Sequence, residues 1–494
     1  MAVAKNRHQN IPPTPVDETS QSLETQGTEG ARLAFISLGC PKNTVDSERM
    51  LGKLAMAGHH IVGDAADADV VVVNTCGFIE PARLESLGVL RELVRLKSEG
   101  RLKAVVAAGC LAERDKEKLF EQVPGLDQVI GVHGREEIGA AVGLSLERVR
   151  AAGRKRKRVE LVDEQRMLFR PAPVKAQEDT ARLRATPRHY AYLKISEGCD
   201  RLCTFCAIPQ MRGKHVSKPI EEVLREAREL AADGVRELLV VAQDTTWYGL
   251  DLYGKPRLAD LLRELRGVEG IEWIRLHYLY PAHVTDELVG VLAEGGKILP
   301  YLDMPLQHIN DRVLKRMNRK TTRAATEEIL GRLRDAIPGL VFRSTFLVGF
   351  PGETEAEFNE LCEWVAAARI ERLGVFPYSF EETTPSSRLD GHLDEPTKLA
   401  RRDRLMEVQQ GVAFAHALGQ VGQRIPVIVD GPDAEMPGWI LARSVADAPE
   451  IDPVVRVKAR VNNKALQTGT FAEVEVTAAD GYDLVARPIP AGRK

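Results

Sequence analysis

From Ala31 onward, short apolar runs alternate with stretches whose apolar positions recur every three or four residues. ARLAFISLGC reads as a strand ending at Gly39-Cys40, and TVDSERMLGKLAMAG after it has helical spacing. DADVVVVNTCGF repeats the unit as a buried strand ending at Cys76, followed by the helical EPARLESLGVLRELVRLKSEG. KAVVAAGCLAER is a third strand ending at Cys110, and DKEKLFEQV follows it. This alternation predicts a parallel sheet with right-handed crossovers, a Rossmann-like N-terminal domain over residues 31–143. Strands of a parallel sheet run the same way, so the three cysteines are expected on one rim, the carboxyl edge at which open sheets bind ligands. One buried cysteine is ordinary. Three at strand ends, each beside a glycine (Gly39, Gly77, Gly109), predict a site.

A second series starts at Tyr190. Its predicted strands are YAYLKISEGC, ELLVVAQD, IEWIRLHYLYP, YLDMPLQHI, LVFRSTFLVGF and RLGVFPYSF, with helical segments such as IEEVLREARELAADG and EAEFNELCEWVAAARI between them. Six such units predict a partial (β/α)6 barrel over residues 188–412, since a full eight-unit barrel needs more chain. From about Val412 the pattern changes to short β-runs, RIPVIVDG, WILARSV, VVRVKARV and TGTFAEVEVTAADGYDLVARP. These predict a small antiparallel β-barrel over 413–489. The expected class is α/β. Residues 1–30 are rich in Pro, Thr, Ser, Gln and Glu and read as a disordered tail. Residues 144–187 read as a basic linker containing RKRKR (Arg154–Arg158), and Ala151–Arg188 carries a net charge of +6. Such runs are usually solvated; the functional alternative is contact with RNA or a ribosomal surface.

Composition narrows the picture. Of 494 residues, 44% are hydrophobic and 28% charged, which suits several buried cores. A net charge of −3 argues against a wholesale basic nucleic-acid binder, and no DNA partner is expected. The longest apolar stretch, near Val70–Val73, falls far short of the ~20 residues that span a bilayer. The first twenty residues show no apolar signal segment. A cytoplasmic location without a membrane partner is therefore expected. Seven cysteines are too few for a disulfide framework, and six of them fall into two trios.

The second trio, Cys199, Cys203 and Cys206, has C-x3-C-x2-C spacing directly after a predicted strand, at the barrel end where catalytic groups collect. Thiolates bind iron–sulfur clusters and zinc. Structural zinc takes four ligands in paired units, whereas here there are three thiolates and no histidine in the same turn. A 4Fe–4S cluster on three thiolates keeps one iron open to a small molecule. The spacing, with Phe205 before the last cysteine, resembles the radical S-adenosylmethionine (SAM) superfamily. That resemblance implies that SAM chelates the open iron and is cleaved to a 5′-deoxyadenosyl radical. The N-terminal trio repeats the logic, and a second cluster with an open iron can hold a sulfur donor. A radical generator facing a sulfur source implies replacement of an unactivated C–H by C–S.

Seven stretches carry a closer resemblance: SLGCPKNTVDSE (Ser37–Glu48), VNTCGFIEPARLES (Val73–Ser86), AAGCLAER (Ala107–Arg114), KISEGCDRLCTFCAIPQMRG (Lys194–Gly213), VVAQDTTWYG (Val240–Gly249), MPLQHIND (Met304–Asp311) and FLVGFPGETEAEF (Phe346–Phe358). They resemble the methylthiotransferases, and the C-terminal β-module is similar to a TRAM domain. The resemblance implies an auxiliary 4Fe–4S cluster on Cys40, Cys76 and Cys110, and a radical-SAM 4Fe–4S cluster on Cys199, Cys203 and Cys206. Phe205, Gln243 after the second barrel strand and Arg343 in the fifth are candidate cofactor-binding residues, Gln243 and Arg343 with a structural role as the alternative. GCPKN and NTCGFIEPA resemble members that modify an aspartate of small-subunit ribosomal protein S-twelve to 3-methylthioaspartate; tRNA-modifying members usually carry a GCQMN-like first motif. The resemblance also implies an electron donor such as a flavodoxin or ferredoxin. The alternatives are tRNA adenosine methylthiolation and a non-catalytic, metal-bound ribosome or RNA adaptor. Ala413–Lys494 has a net charge of −1, which suits a basic protein partner better than tRNA.

Overall fold

A computed structural model describes residues 30–152, 166–458 and 466–489. Almost all of the expected N-terminal tail, and the whole RKRKR run, lie outside the described residues. The described residues fall into two compact units, those within 1–185 with 207–214, and those within 186–206 with 215–494.

The first unit is built on a six-stranded sheet of β1 (Arg32–Ser37), β2 (His60–Ile61), β3 (Val70–Thr75), β4 (Ala104–Gly109), β5 (Gln128–Ile130) and β6 (Met167–Leu168). The order is β2-β1-β3-β4-β5-β6, and every pairing is parallel. Among the described residues, helices flanking it include α1 (Pro41–Met56), α2 (Glu80–Ser98), α3 (Cys110–Asp115), α4 (Lys118–Gln122) and α5 (Ile138–Ala152). The four valines of β3 show why the sheet is covered on both faces. Side chains alternate along a strand, so Val71 and Val73 pack in one core with Leu90 of α2, and Val70 and Val72 in the other with Met50 and Leu54 of α1. Each fully buried valine contributes about 1.5–3 kcal/mol. α5 runs through Ala152, where composition suggested linker, because Leu146 and Val149 pack against the second of these cores.

The second unit begins with β7 (Tyr190–Lys194) and the short antiparallel pair β8 (Ser196–Glu197) and β9 (Val216–Ser217). β10 (Glu237–Val241), β11 (Trp273–Leu276), β12 (Ile298–Asp303), β13 (Val341–Val348) and β14 (Arg372–Pro377) follow. With β7 they form a parallel sheet in the order β14-β13-β12-β11-β10-β7, unpaired between its first and last strands, which is the partial barrel the sequence predicts. The helix Glu395–Gly419 then runs past Val412, where β-pattern was expected, because Ala413 and Ala417 are buried on it. Last comes a closed barrel of β15 (Arg424–Pro432), β16 (Trp439–Ser444), β17 (Val455–Lys458), β18 (Phe471–Asp480) and β19 (Asp483–Pro488). Four of its pairings are antiparallel and one, β17 with β19, is parallel.

Buried polar contacts tie this small barrel to the larger one. Glu237 accepts from Arg275 at 2.9 Å and from Arg443 at 2.6 Å, Arg372 donates to Asp447 at 2.7 Å, and Tyr301 donates to Asp452 at 2.6 Å. Among the described residues, no helix is long and apolar enough to cross a membrane.

Candidate cluster-binding sites

β1, β3 and β4 are adjacent and parallel, and the chain leaves their carboxyl ends at Cys40, Cys76 and Cys110. The glycines beside the cysteines let the three turns close on one another. Gly39 has φ +95°, and a Cβ there would stand 2.8 Å from the Cys76 Cβ and 3.0 Å from its sulfur. A Cβ at Gly77 would stand 2.9 Å from the Leu111 Cα and 3.0 Å from the Cys110 carbonyl carbon. Any side chain at either position would push the turns apart.

Asn43, in the first turn of α1, is the hub of this rim. Its Nδ2 donates to the Leu38 carbonyl at 2.9 Å and the Thr75 carbonyl at 3.0 Å, which spends both amide protons and fixes the amide's orientation. Its Oδ1 accepts from the Cys110 thiol at 3.5 Å and from Arg212 Nη2 at 2.5 Å. Ser86 of α2 holds the Cys76 backbone from both sides, accepting from its N–H at 3.0 Å and donating to its carbonyl at 3.1 Å. The strand-end pattern located the cysteines but not Asn43, Ser86 or Arg212. In the structure the first turns of α1 bury Asn43, Asp46, Ser47 and Glu48, an unusual density of polar groups for a buried helix face.

The three thiols differ electrostatically. Burial pushes Cys76 up to about 11 and Cys110 up to about 12, in both cases partly offset by Arg212. Burial acts the same way on Cys40, but Lys42 and Arg212 outweigh it and its pKa falls below the ordinary thiol value. Bound iron, a strong positive charge, would displace the protons of Cys76 and Cys110.

The second trio lies on the loop after β8. Cys199 and Cys203 are buried and Cys206 is half-buried. The Arg201 N–H donates to the Cys199 sulfur at 3.4 Å, and Arg319 Nη1 to the Cys203 sulfur at 3.7 Å. Burial, with Asp244 nearby, pushes Cys199 up to about 12, against the Arg201 N–H. The segment Arg316–Arg319 braces the loop: Thr204 donates to the Arg316 carbonyl at 2.9 Å, and Asn318 to the Leu202 carbonyl at 2.7 Å. Arg201 is fixed by Asp244 at 2.7 Å and by the rings of Trp247 and Tyr280, 4.0 and 4.2 Å from its guanidinium carbon. Asp244 and Trp247 belong to the VVAQDTTWYG stretch, so that motif helps to hold the loop that carries Cys199, Cys203 and Cys206.

Phe205 is half-buried, edge-on to Phe350 with ring centroids 6.4 Å apart. Gln243 donates to Glu197 at 2.8 Å, and its Oε1 is buried without a hydrogen-bond partner. Buried acceptors are rarely left bare, so this oxygen faces a place for a donor. Arg343 lies 3.1 Å from Asp303 and 3.4 Å from Asp452, which occupy its guanidinium from two sides. His277, 3.4 Å from Asp303, and His308, 3.6 Å from Glu353, are buried in the same unit, and Cys362 is buried on its helix.

Among the described residues, no three or more His, Cys, Asp or Glu side chains are gathered so as to hold a metal ion. A 4Fe–4S cube spreads its ligands more widely than a single ion does. Each trio offers three thiols and a nearby N–H donor or guanidinium, a donor set that fits a cube with one iron open.

The fold and these two sites define a radical SAM protein with a sulfur-ligand site on a separate parallel sheet. Residues 193–365 match the Radical SAM superfamily, 32–131 match the Uncharacterized protein family UPF0004, and 421–489 match the TRAM domain. The chain is 45% identical over 453 residues to the ribosomal protein uS12 methylthiotransferase RimO of Caldanaerobacter subterraneus, covering 92% of this chain and 99% of that one. It is 44% identical over 454 residues to the protein of the same description from Symbiobacterium thermophilum, covering 92% and 90%. The chain belongs to this family of radical SAM methylthiotransferases, enzymes of 4Fe–4S clusters and SAM. A solved structure of the radical SAM methyltransferase TsrM from Kitasatospora setae, with cobalamin and a [4Fe–4S] cluster bound, shares the fold at a TM-score of 0.51 and 15% identity, covering 72% of this chain and 77% of that one.

Proposed function

We propose that this enzyme adds a methylthio group to the β-carbon of an aspartate in ribosomal protein uS12 (S-twelve), giving 3-methylthioaspartate. The observation that carries the reading is identity of 44–45% with uS12 methylthiotransferases over 92% of the chain. The GCPKN stretch at the first cysteine and the near-neutral C-terminal module support it.

In this reading Cys199, Cys203 and Cys206 hold the cluster that binds SAM, and Cys40, Cys76 and Cys110 hold the auxiliary cluster. When bound, the two clusters supply reductive cleavage of SAM and a site for the transferable sulfur. The chain's own residues bind and orient. Arg319 and the Arg201 N–H stabilise thiolate charge at the second trio, and Asn43 and Ser86 fix the turns of the first. Phe205 would wall the second site, and the buried, unpartnered Gln243 Oε1 would accept a hydrogen bond from an N–H or O–H donor of SAM. Arg343, paired with Asp303 and Asp452, has the structural role of tying its strand to β12 and to the segment between β16 and β17. The reducing electron comes from a flavodoxin or ferredoxin. The enzyme works in the cytoplasm, where thiols stay reduced.

Mass spectrometry on a strain lacking this protein tests the assignment. Its uS12 is expected to lose the methylthio mass, regained when the gene is restored, while its tRNA is unchanged. A strain whose uS12 keeps that mass while its tRNA loses one contradicts the proposal.

A further inference from the structure

We infer that Arg212 is a positioning residue of the auxiliary cluster, a buried cation that holds the negative charge of the cluster and its thiolates and sets its reduction potential. The inference rests on the reading of Cys40, Cys76 and Cys110 as that cluster's ligands. Arg212 closes α6 (Ile208–Arg212), six residues after Cys206, yet residues 207–214 belong to the first unit. Ala207 and Met211 of this segment pack in one buried cluster with Cys110 and Val132. Gly213, at φ +73°, ends the helix where a Cβ would stand 2.6 Å from the Ala172 Cβ. The segment is thus built into the rim of the first sheet, and it delivers one guanidinium, only 3% exposed, to the cysteine turns.

The guanidinium contacts give it its role. Arg212 Nη2 donates to the Asn43 Oδ1 at 2.5 Å and to the Asp46 carboxylate at 3.0 Å. The second donor to that Asn43 oxygen is the Cys110 thiol, which ceases to donate once iron displaces its proton. Arg212 then keeps the oxygen satisfied beside a newly negative sulfur. Three thiolates also leave a 4Fe–4S cluster with net negative charge, and burying such a charge without a counter-ion is costly. Arg212 shares the Asn43 oxygen with the Cys110 thiol, and Asn43 lies in the first turn of the helix that Cys40 caps, so the guanidinium sits among the cysteine turns. Reduction adds a further negative charge, so a neighbouring cation favours the reduced form and a neighbouring carboxylate opposes it.

Arg212 and Asp46 should therefore move the potential in opposite directions, which a purely structural role would not do. The test uses the full chain with Cys199, Cys203 and Cys206 all replaced by alanine, so that the auxiliary cluster alone is read. Iron is counted first, and the potential is then followed by electron paramagnetic resonance during reductive titration. In that background R212Q is expected to lower the reduced-to-oxidised ratio at fixed potential about tenfold, about 59 mV for one electron. R212K shifts it less, and D46N raises it. An R212Q potential equal to that of the background, or a D46N shift downward, overturns the inference while leaving the cluster assignment intact. If R212Q folds but holds no cluster, D46N and R212K decide by the same signs. A background protein that binds no iron refutes the cluster reading and this inference together.

Discussion

Replacing Cys76 by alanine is expected to stop methylthio transfer while SAM cleavage continues. The substitution removes one sulfur from a turn that other contacts hold. Ser86 accepts from the Cys76 N–H and donates to the Cys76 carbonyl, and Asn43 grips the neighbouring Leu38 and Thr75 carbonyls, so none of these bonds is lost with the thiol. Loss of a small buried group from an otherwise intact site is well within the stability of a domain. The expected phenotype is therefore chemical: iron falling by half, 5′-deoxyadenosine still formed, and the uS12 methylthio product reduced to background. Chromatography of nucleoside products beside mass spectrometry of the protein substrate reads both activities from one reaction. Loss of both would instead assign the Cys76 thiol to folding.

Cys203→Ala is expected to abolish both activities. Arg319 loses the sulfur as an acceptor but keeps the Pro305 carbonyl at 2.6 Å and the Tyr280 ring at 4.3 Å, so the brace around the loop survives. The variant should melt close to the native protein, keep the iron of the auxiliary site and form no 5′-deoxyadenosine. Continued SAM cleavage in this variant would remove Cys203 from the radical-generating site. Together the two variants separate the trios: one loses a single activity and the other loses both.

Much of the architecture was legible because the pattern and the physics coincide. β1, β3 and β4 are full-length apolar strands between helices of clear periodicity, and the cysteines sit where such strands end. β2, β5 and β6, only two or three residues long, give no periodic signal, so the sheet has twice the strands the pattern revealed. The parallel pairing of β17 with β19 leaves no mark in the sequence, because alternation in a strand reports its faces and not its partner's direction. The supporting residues were hidden for another reason. Arg212 meets Asn43 across 169 positions of sequence, and nothing local in QMRG distinguishes a buried counter-ion from a solvated helix end. Asn43 and Ser86 likewise read as ordinary helix polar residues until the turns they hold are seen in space.

Iron and acid-labile sulfide per chain, measured after purification without oxygen, test most directly whether one chain carries two three-thiolate clusters. Enough of each for two 4Fe–4S clusters is expected. A single cluster's worth, or zinc in place of iron, would contradict it.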